Sequence, residues 1–228
     1  FNFFISENNW LGRGIKLIGS FDVTEESLRG GLDVTNPNYN YTGNEVSASF
    51  NSTKTDRLAT SGYESTNTAA SLGTSFEQYK NIFLSPEISA SYENVSTDSS
   101  ASTAMQKMDG DYTSLEFAYG ISYDKRNQRF QPTQGFISQF NQSIPIYSDT
   151  PALLNIFTYS KYHLFTEDIV GSMKFFGKTI NSLSSTEDVK VSRRIYLPSS
   201  RLRGFTRGKF GPKDGDDHVG GNYAAALS

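Results

Sequence analysis

The sequence contains no cysteine, which removes disulfide frameworks, thiolate nucleophiles and thiolate metal sites from consideration. No apolar run approaches the ~18 residues that a membrane-spanning helix requires, so helical spanning is excluded. Histidine is scarce, with only His163 and His218 present. No nucleophile–base spacing accompanies them, so no hydrolase constellation is found and the chain reads as a non-enzyme that needs no cofactor. The formal net charge is −3, which leaves no basic footprint and argues against nucleic acid as a partner. Gly208-Lys209 lacks the frame of a phosphate-binding loop. No signal peptide is visible, because Phe1 already stands in a strand-like pattern, and the chain reads as a mature or excised fragment.

What is abundant is aromatic: 17 Phe and 13 Tyr against one Trp in 228 residues. Period-two alternation recurs along the chain. Ile15, Leu17, Gly19, Phe21 and Val23 form one such face, Leu28, Gly30, Leu32 and Val34 a second, and Val46, Ala48 and Phe50 a third. The cleanest case sets Leu115, Phe117, Tyr119, Ile121 and Tyr123 opposite Glu116, Ala118, Gly120, Ser122 and Asp124. A sandwich strand and a membrane-barrel strand both look like this. The negative mean hydropathy is compatible with a barrel, since half of each strand faces a polar lumen.

The links bear on the choice. Tight ones are expected around Asn9–Gly14, Asn36–Tyr39, Glu77–Asn81 and Thr166–Asp168, and long polar ones at Thr53–Asn67, Ser96–Asp111 and Lys178–Gly220. Alternation of short and long links is the habit of an up-and-down barrel in an outer membrane. Asp124–Gly135 breaks the alternation. The pattern reads as all-β, an antiparallel up-and-down transmembrane barrel of about 11 strands, the last beginning near Val219. An odd strand number and two bare edges suit a fragment rather than a closed barrel. Tyr39, Tyr41, Tyr79, Phe130 and Tyr147 near strand ends suit either aromatic girdles or ordinary hairpin packing.

One stretch stands apart. From Arg201 to Asn222 the chain carries six glycines and Pro212, first with the cations Arg201, Arg203, Arg207, Lys209 and Lys213, then with Asp214, Asp216 and Asp217. Gly and Pro forbid a regular helix or central strand here. An Arg-Gly-Phe step sets a planar five-donor fork beside a free backbone and an anchoring ring. Asp214, Asp216, Asp217 and His218 do not follow the calcium-loop spacing, so no metal site is expected.

Leu202-Arg203-Gly204-Phe205, Gly211-Pro212 and Val219-Gly220-Gly221-Asn222 resemble the signature of the outer-membrane β-barrel assembly factor family (BamA-like), which is related to the mitochondrial sorting-and-assembly barrel. In order, Glu7–Gly12 resembles the family's turn after its second strand, Val34–Pro37 the end of its fourth, and Tyr123–Gly135 the turn between its eighth and ninth. The resemblance implies that residues 1–228 are a partial barrel domain, about strands 2 to 12 of a likely complement of 16. It implies a long sixth extracellular loop at about 178–218, whose tip Arg203, Gly204 and Phe205 folds into the lumen with Leu202, Gly211 and Pro212. Arg203 would be held there by wall carboxylates beyond Ser228, and Gly220, Gly221 and Asn222 would lead into the next strand. The implied function is folding and inserting barrel proteins into the outer membrane of a Gram-negative bacterium, an organellar membrane being the alternative. Implied partners are unfolded barrel clients, the lipid bilayer and accessory lipoproteins. The rival readings are a two-partner secretion pore of the same superfamily, a passive porin and a soluble adhesion-type sandwich.

Overall fold

The computed structural model describes residues 1–58, 62–101, 103–186, 188–197, 201, 210–214 and 217–228. Its main feature is one antiparallel sheet of eleven strands in which each strand pairs with its sequence neighbour. In order these are β1 (Asn2–Trp10), β2 (Ile15–Val23), β3 (Ser27–Tyr39), β4 (Asn44–Arg57), β5 (Tyr63–Tyr79) and β6 (Ile82–Thr97). A one-turn helix α1 (Thr103–Gln106) follows, then β7 (Gly110–Asp124), β8 (Gly135–Ser148), β9 (Ala152–Thr166) and β10 (Ile169–Ser182). The long loop contains a two-strand hairpin, β11 (Lys213–Asp214) and β12 (Asp217–His218), and the chain returns to the sheet as β13 (Tyr223–Leu227). β1 and β13 are the two edges. The up-and-down order, in which each inner strand has a hydrogen-bonded neighbour on both sides, is the arrangement that strands need in order to face lipid.

Several links differ from their expected positions. Thr53–Asn67 is mostly strand: β4 pairs with β5 continuously from Glu45↔Ser75 to Arg57↔Tyr63. Its Ser, Thr and Asn side chains are polar on both faces, so hydropathy hides a strand that the backbone ladder still forms. Asn36–Tyr39 is the end of β3, with the turn at 40–43, and the β3–β4 register shifts between Asn36 and Tyr39, beside Pro37. Proline lacks the N–H that a regular ladder needs there. The last strand starts at Tyr223 rather than near Val219, and β10 runs to Ser182, so the long loop is 183–222. Short links also fall on the side expected to be long, at 24–26 and 149–151. The alternation is therefore weaker than the strand order it helped to suggest.

Contacts with the long loop establish the two faces of the sheet. Glu93 and Glu116 face the loop, so Glu116, Ala118, Gly120 and Ser122 line the inner face. Leu115, Phe117, Tyr119, Ile121 and Tyr123 then point outward. Outward rows continue across strands, as in Ile88↔Phe117↔Ile144 and Ile121↔Phe140↔Phe157. Phe117, Ile121 and Phe157 remain exposed, as expected of a face meant for hydrocarbon rather than water. The polar residues in this band satisfy one another: Tyr119 Oη donates to Gln142 (2.9 Å), Gln142 Nε2 to Asn155 (2.7 Å) and Asn155 Nδ2 to Thr179 (3.3 Å). Of the residues read as girdle candidates, Tyr39, Tyr41, Tyr79 and Phe130 stand exposed at one end of the sheet and Tyr147 at the other.

Candidate functional site

Burial is concentrated where the long loop crosses the inner face. Ala152 and Ile180 of the wall enclose Val189 and Ile195 of the loop, with Leu154 and Ala224 packed alongside. A second cluster joins wall residue Val95 to Met108 and to Val219 at the loop's end. The loop is thus packed, and its apolar side chains supply the core that an isolated sheet lacks.

Charge fixes the register of this packing. Lys190 is 7% exposed. Its Nζ donates to Glu93 Oε2 of β6 at 2.9 Å and lies 3.0 Å from the centroid of the Tyr112 ring on β7. Burial pulls the Lys190 ammonium below its ordinary value, while the Glu93 carboxylate opposes that shift. Arg193 reaches Glu116 of β7 at 2.6 Å, and Ser143 of β8 donates to the other oxygen of that carboxylate. A carboxylate bound on both oxygens is a rigid anchor.

Asp188 forms a third fastening, inside the loop. It accepts the Val189 N–H at 2.7 Å, the Arg194 guanidinium at 2.9 Å and the Asn222 side-chain N–H at 3.2 Å. The Val189 N–H, together with Asn222 and Arg194, holds the Asp188 carboxyl below its ordinary value against the opposing effect of desolvation. Arg194 also donates through Nε to the Val189 carbonyl at 3.0 Å.

The loop's exit is built from Gly220, Gly221 and Asn222. Gly221 exchanges two backbone hydrogen bonds with Ile195, at 2.7 and 3.0 Å. Asn222 accepts the Ile180 N–H at 2.8 Å, which starts the β10–β13 pairing. Gly220 adopts φ +71°, and a Cβ there would stand 3.0 Å from the Arg194 Cβ and the Tyr196 ring. Only glycine combines that backbone with that proximity. Tyr196 Oη closes the corner on the His218 carbonyl at 3.1 Å. Pro212 accepts the Val219 N–H at 3.0 Å, so the Gly-Pro element is tied to the exit. Gly211 has φ +112°.

Leu202, Arg203, Gly204 and Phe205 lie outside the described residues. The described residue beside them, Arg201, sets its guanidinium 3.9 Å from the centroid of the Phe176 ring on β10, so the chain enters that segment from the inner wall. Wall carboxylates for Arg203 were expected beyond Ser228; the loop's first half is held by Glu93 and Glu116, within the chain. The sequence reading passed over Asp188, Lys190, Arg193 and Arg194. The available signal was a charge-dense run in the sequence, 187–194, inside a Ser/Thr-rich link.

An antiparallel up-and-down sheet with apolar rows on its outer face and a loop packed across its inner face is the wall of an outer-membrane-type β-barrel. A family model described as the Omp85 superfamily domain matches residues 9–228, and the chain belongs to that superfamily. Among solved structures, the crystal structure of BamA from Haemophilus ducreyi lacking POTRA domains 1-3 matches with a TM-score of 0.83 at 18% identity. The match covers 99% of this chain and 48% of that one, so the chain spans about half the length of that protein. No curated protein matches the sequence. The fold is that of a BamA-like outer-membrane β-barrel.

Proposed function

We propose that the protein carrying this chain folds and inserts β-barrel proteins into the outer membrane of a Gram-negative bacterium. Its clients are unfolded barrel polypeptides, accessory lipoproteins assist it, and it uses no covalent catalysis and no cofactor. The observation that carries the proposal is the loop held across the inner face by Lys190–Glu93 and Arg193–Glu116. An assembly factor needs a stable wall whose strands can guide new strands by backbone pairing, and the fastened loop supplies that stability.

The test uses the full-length protein in liposomes with an unfolded barrel protein as client. Client insertion should exceed that in empty liposomes and should fall in Arg203→Ala. Insertion no faster than in empty liposomes, accompanied by steady ion conductance, would instead indicate the translocating pore of the same superfamily.

A further inference from the structure

Among the described residues, the outer face of the sheet carries two lysines, Lys125 and Lys161, that no carboxylate answers. Lys125 follows β7, and its backbone N–H donates to the Phe136 carbonyl of β8 at 2.8 Å. Phe136 pairs in turn with Lys161 of β9. Lys125, Phe136 and Lys161 therefore form one cross-strand row. Its parity is that of Tyr123, and hence of the outward face. Two strand spacings separate the lysine backbones, about 10 Å, so both ammonium groups can reach a single group lying over Phe136.

The bed beneath that group is aromatic. Tyr123 meets Phe136 edge-on at 5.4 Å, Phe136 meets Tyr159 at 5.8 Å, and the Lys125 Nζ lies 5.3 Å from the Tyr123 ring centroid. Strands β8, β9 and β10 contain no Asp or Glu. Asp124 faces inward and is taken by Arg126, with bonds of 2.9 and 2.7 Å. The outward carboxylate of β7, Asp111, sits at the far end of that strand and accepts from Tyr92 and Asn94. Glu167 and Asp168 belong to the turn beyond Thr166. Ammonium groups on a lipid-facing surface extend toward the interface and seek an anion there.

We propose that Lys125 and Lys161, over the Tyr123–Phe136–Tyr159 bed, bind the phosphate of an anionic phospholipid in the leaflet at the tight-turn end of the barrel. The rings pack against the upper acyl chain and glycerol, and the two lysines share the headgroup charge. The inference rests on the membrane-barrel reading and not on assembly activity.

The experiment takes the full-length protein, reconstituted in mixed phosphatidylcholine and phosphatidylglycerol and then released for native mass spectrometry. Wild type should retain phosphatidylglycerol preferentially. Each lysine should contribute about fivefold to that preference, so Lys125→Gln/Lys161→Gln should retain the two lipids nearly equally. Lys54→Gln, a change at the other end of the sheet, should leave the preference unchanged, and Lys125→Arg/Lys161→Arg should restore it. If the double variant does not assemble, each single variant should show a partial loss. Equal retention of both lipids by wild type, or an unchanged preference in the glutamine variants, would overturn the proposal. Failure of the protein to partition with membranes would instead remove the barrel reading itself.

Discussion

Lys190 and Glu93 stand 97 positions apart in sequence, yet their side chains meet at 2.9 Å across the inner face of the sheet. The pair is nearly dry, with the lysine side chain 5% and the glutamate 16% exposed. Such a pair adds little stability over an apolar replacement, but breaking one half of it is costly.

Glu93→Gln should therefore cost about 3–5 kcal/mol locally, because it leaves the Lys190 ammonium buried against Tyr112. The Arg193 and Arg194 amides, which both donate to the Lys190 carbonyl, should lose hydrogen-exchange protection while the β5–β6 ladder keeps its own. Adding Lys190→Met should recover most of that loss. If the double variant exchanged as fast as Glu93→Gln, the pair would not be what holds the loop.

Gly220→Ala should destabilise the loop exit by about 1–3 kcal/mol, since the side chain must adopt a left-handed backbone against Arg194 and Tyr196. Gly221→Ala is the comparison, because its added Cβ meets nothing nearer than 3.5 Å. Urea titration of both variants of the full-length protein should place Gly220→Ala well below Gly221→Ala. Equal midpoints would show that the exit tolerates a different path.

The Asp188 clasp predicts a pH window. Its carboxyl is held below the ordinary value of 3.8, so the folded state favours the ionised form more than the unfolded state does. The contribution is fully present above 3.8 and is lost as pH falls through the lower, folded value. Val189 amide exchange, corrected for its intrinsic pH dependence, should be flat from neutral pH to about 5 and accelerate only below about 4. Asp188→Asn should expose Val189 at every pH. Acceleration already at pH 6 would point to a different titrating group.

Much of the architecture was legible because it rests on local chemistry. The face of Leu115, Phe117, Tyr119, Ile121 and Tyr123 emerged as β7, and about eleven strands were expected where the main sheet of the described residues has eleven. Polar strand ends were not legible: Thr53–Arg57 and Tyr63–Asn67 show no hydropathy contrast, and only the ladder between them reveals strand. The charged fastenings were hidden for a different reason. Nothing near Glu93 or Glu116 in sequence indicates that a loop about 100 or 80 residues away will return to them, since ion-pair geometry carries no period along a chain.

By itself, then, the sequence determined strand periodicity, the absence of spanning helices and thiol chemistry, and the glycine positions at the loop exit. Each follows from the covalent and steric properties of residues and their neighbours. Tertiary structure decided which face turns inward, which carboxylates receive Lys190 and Arg193, and that Lys125 and Lys161 share one outward row. Those outcomes depend on strand register, and register is settled only when the whole sheet pairs and the loop packs against it.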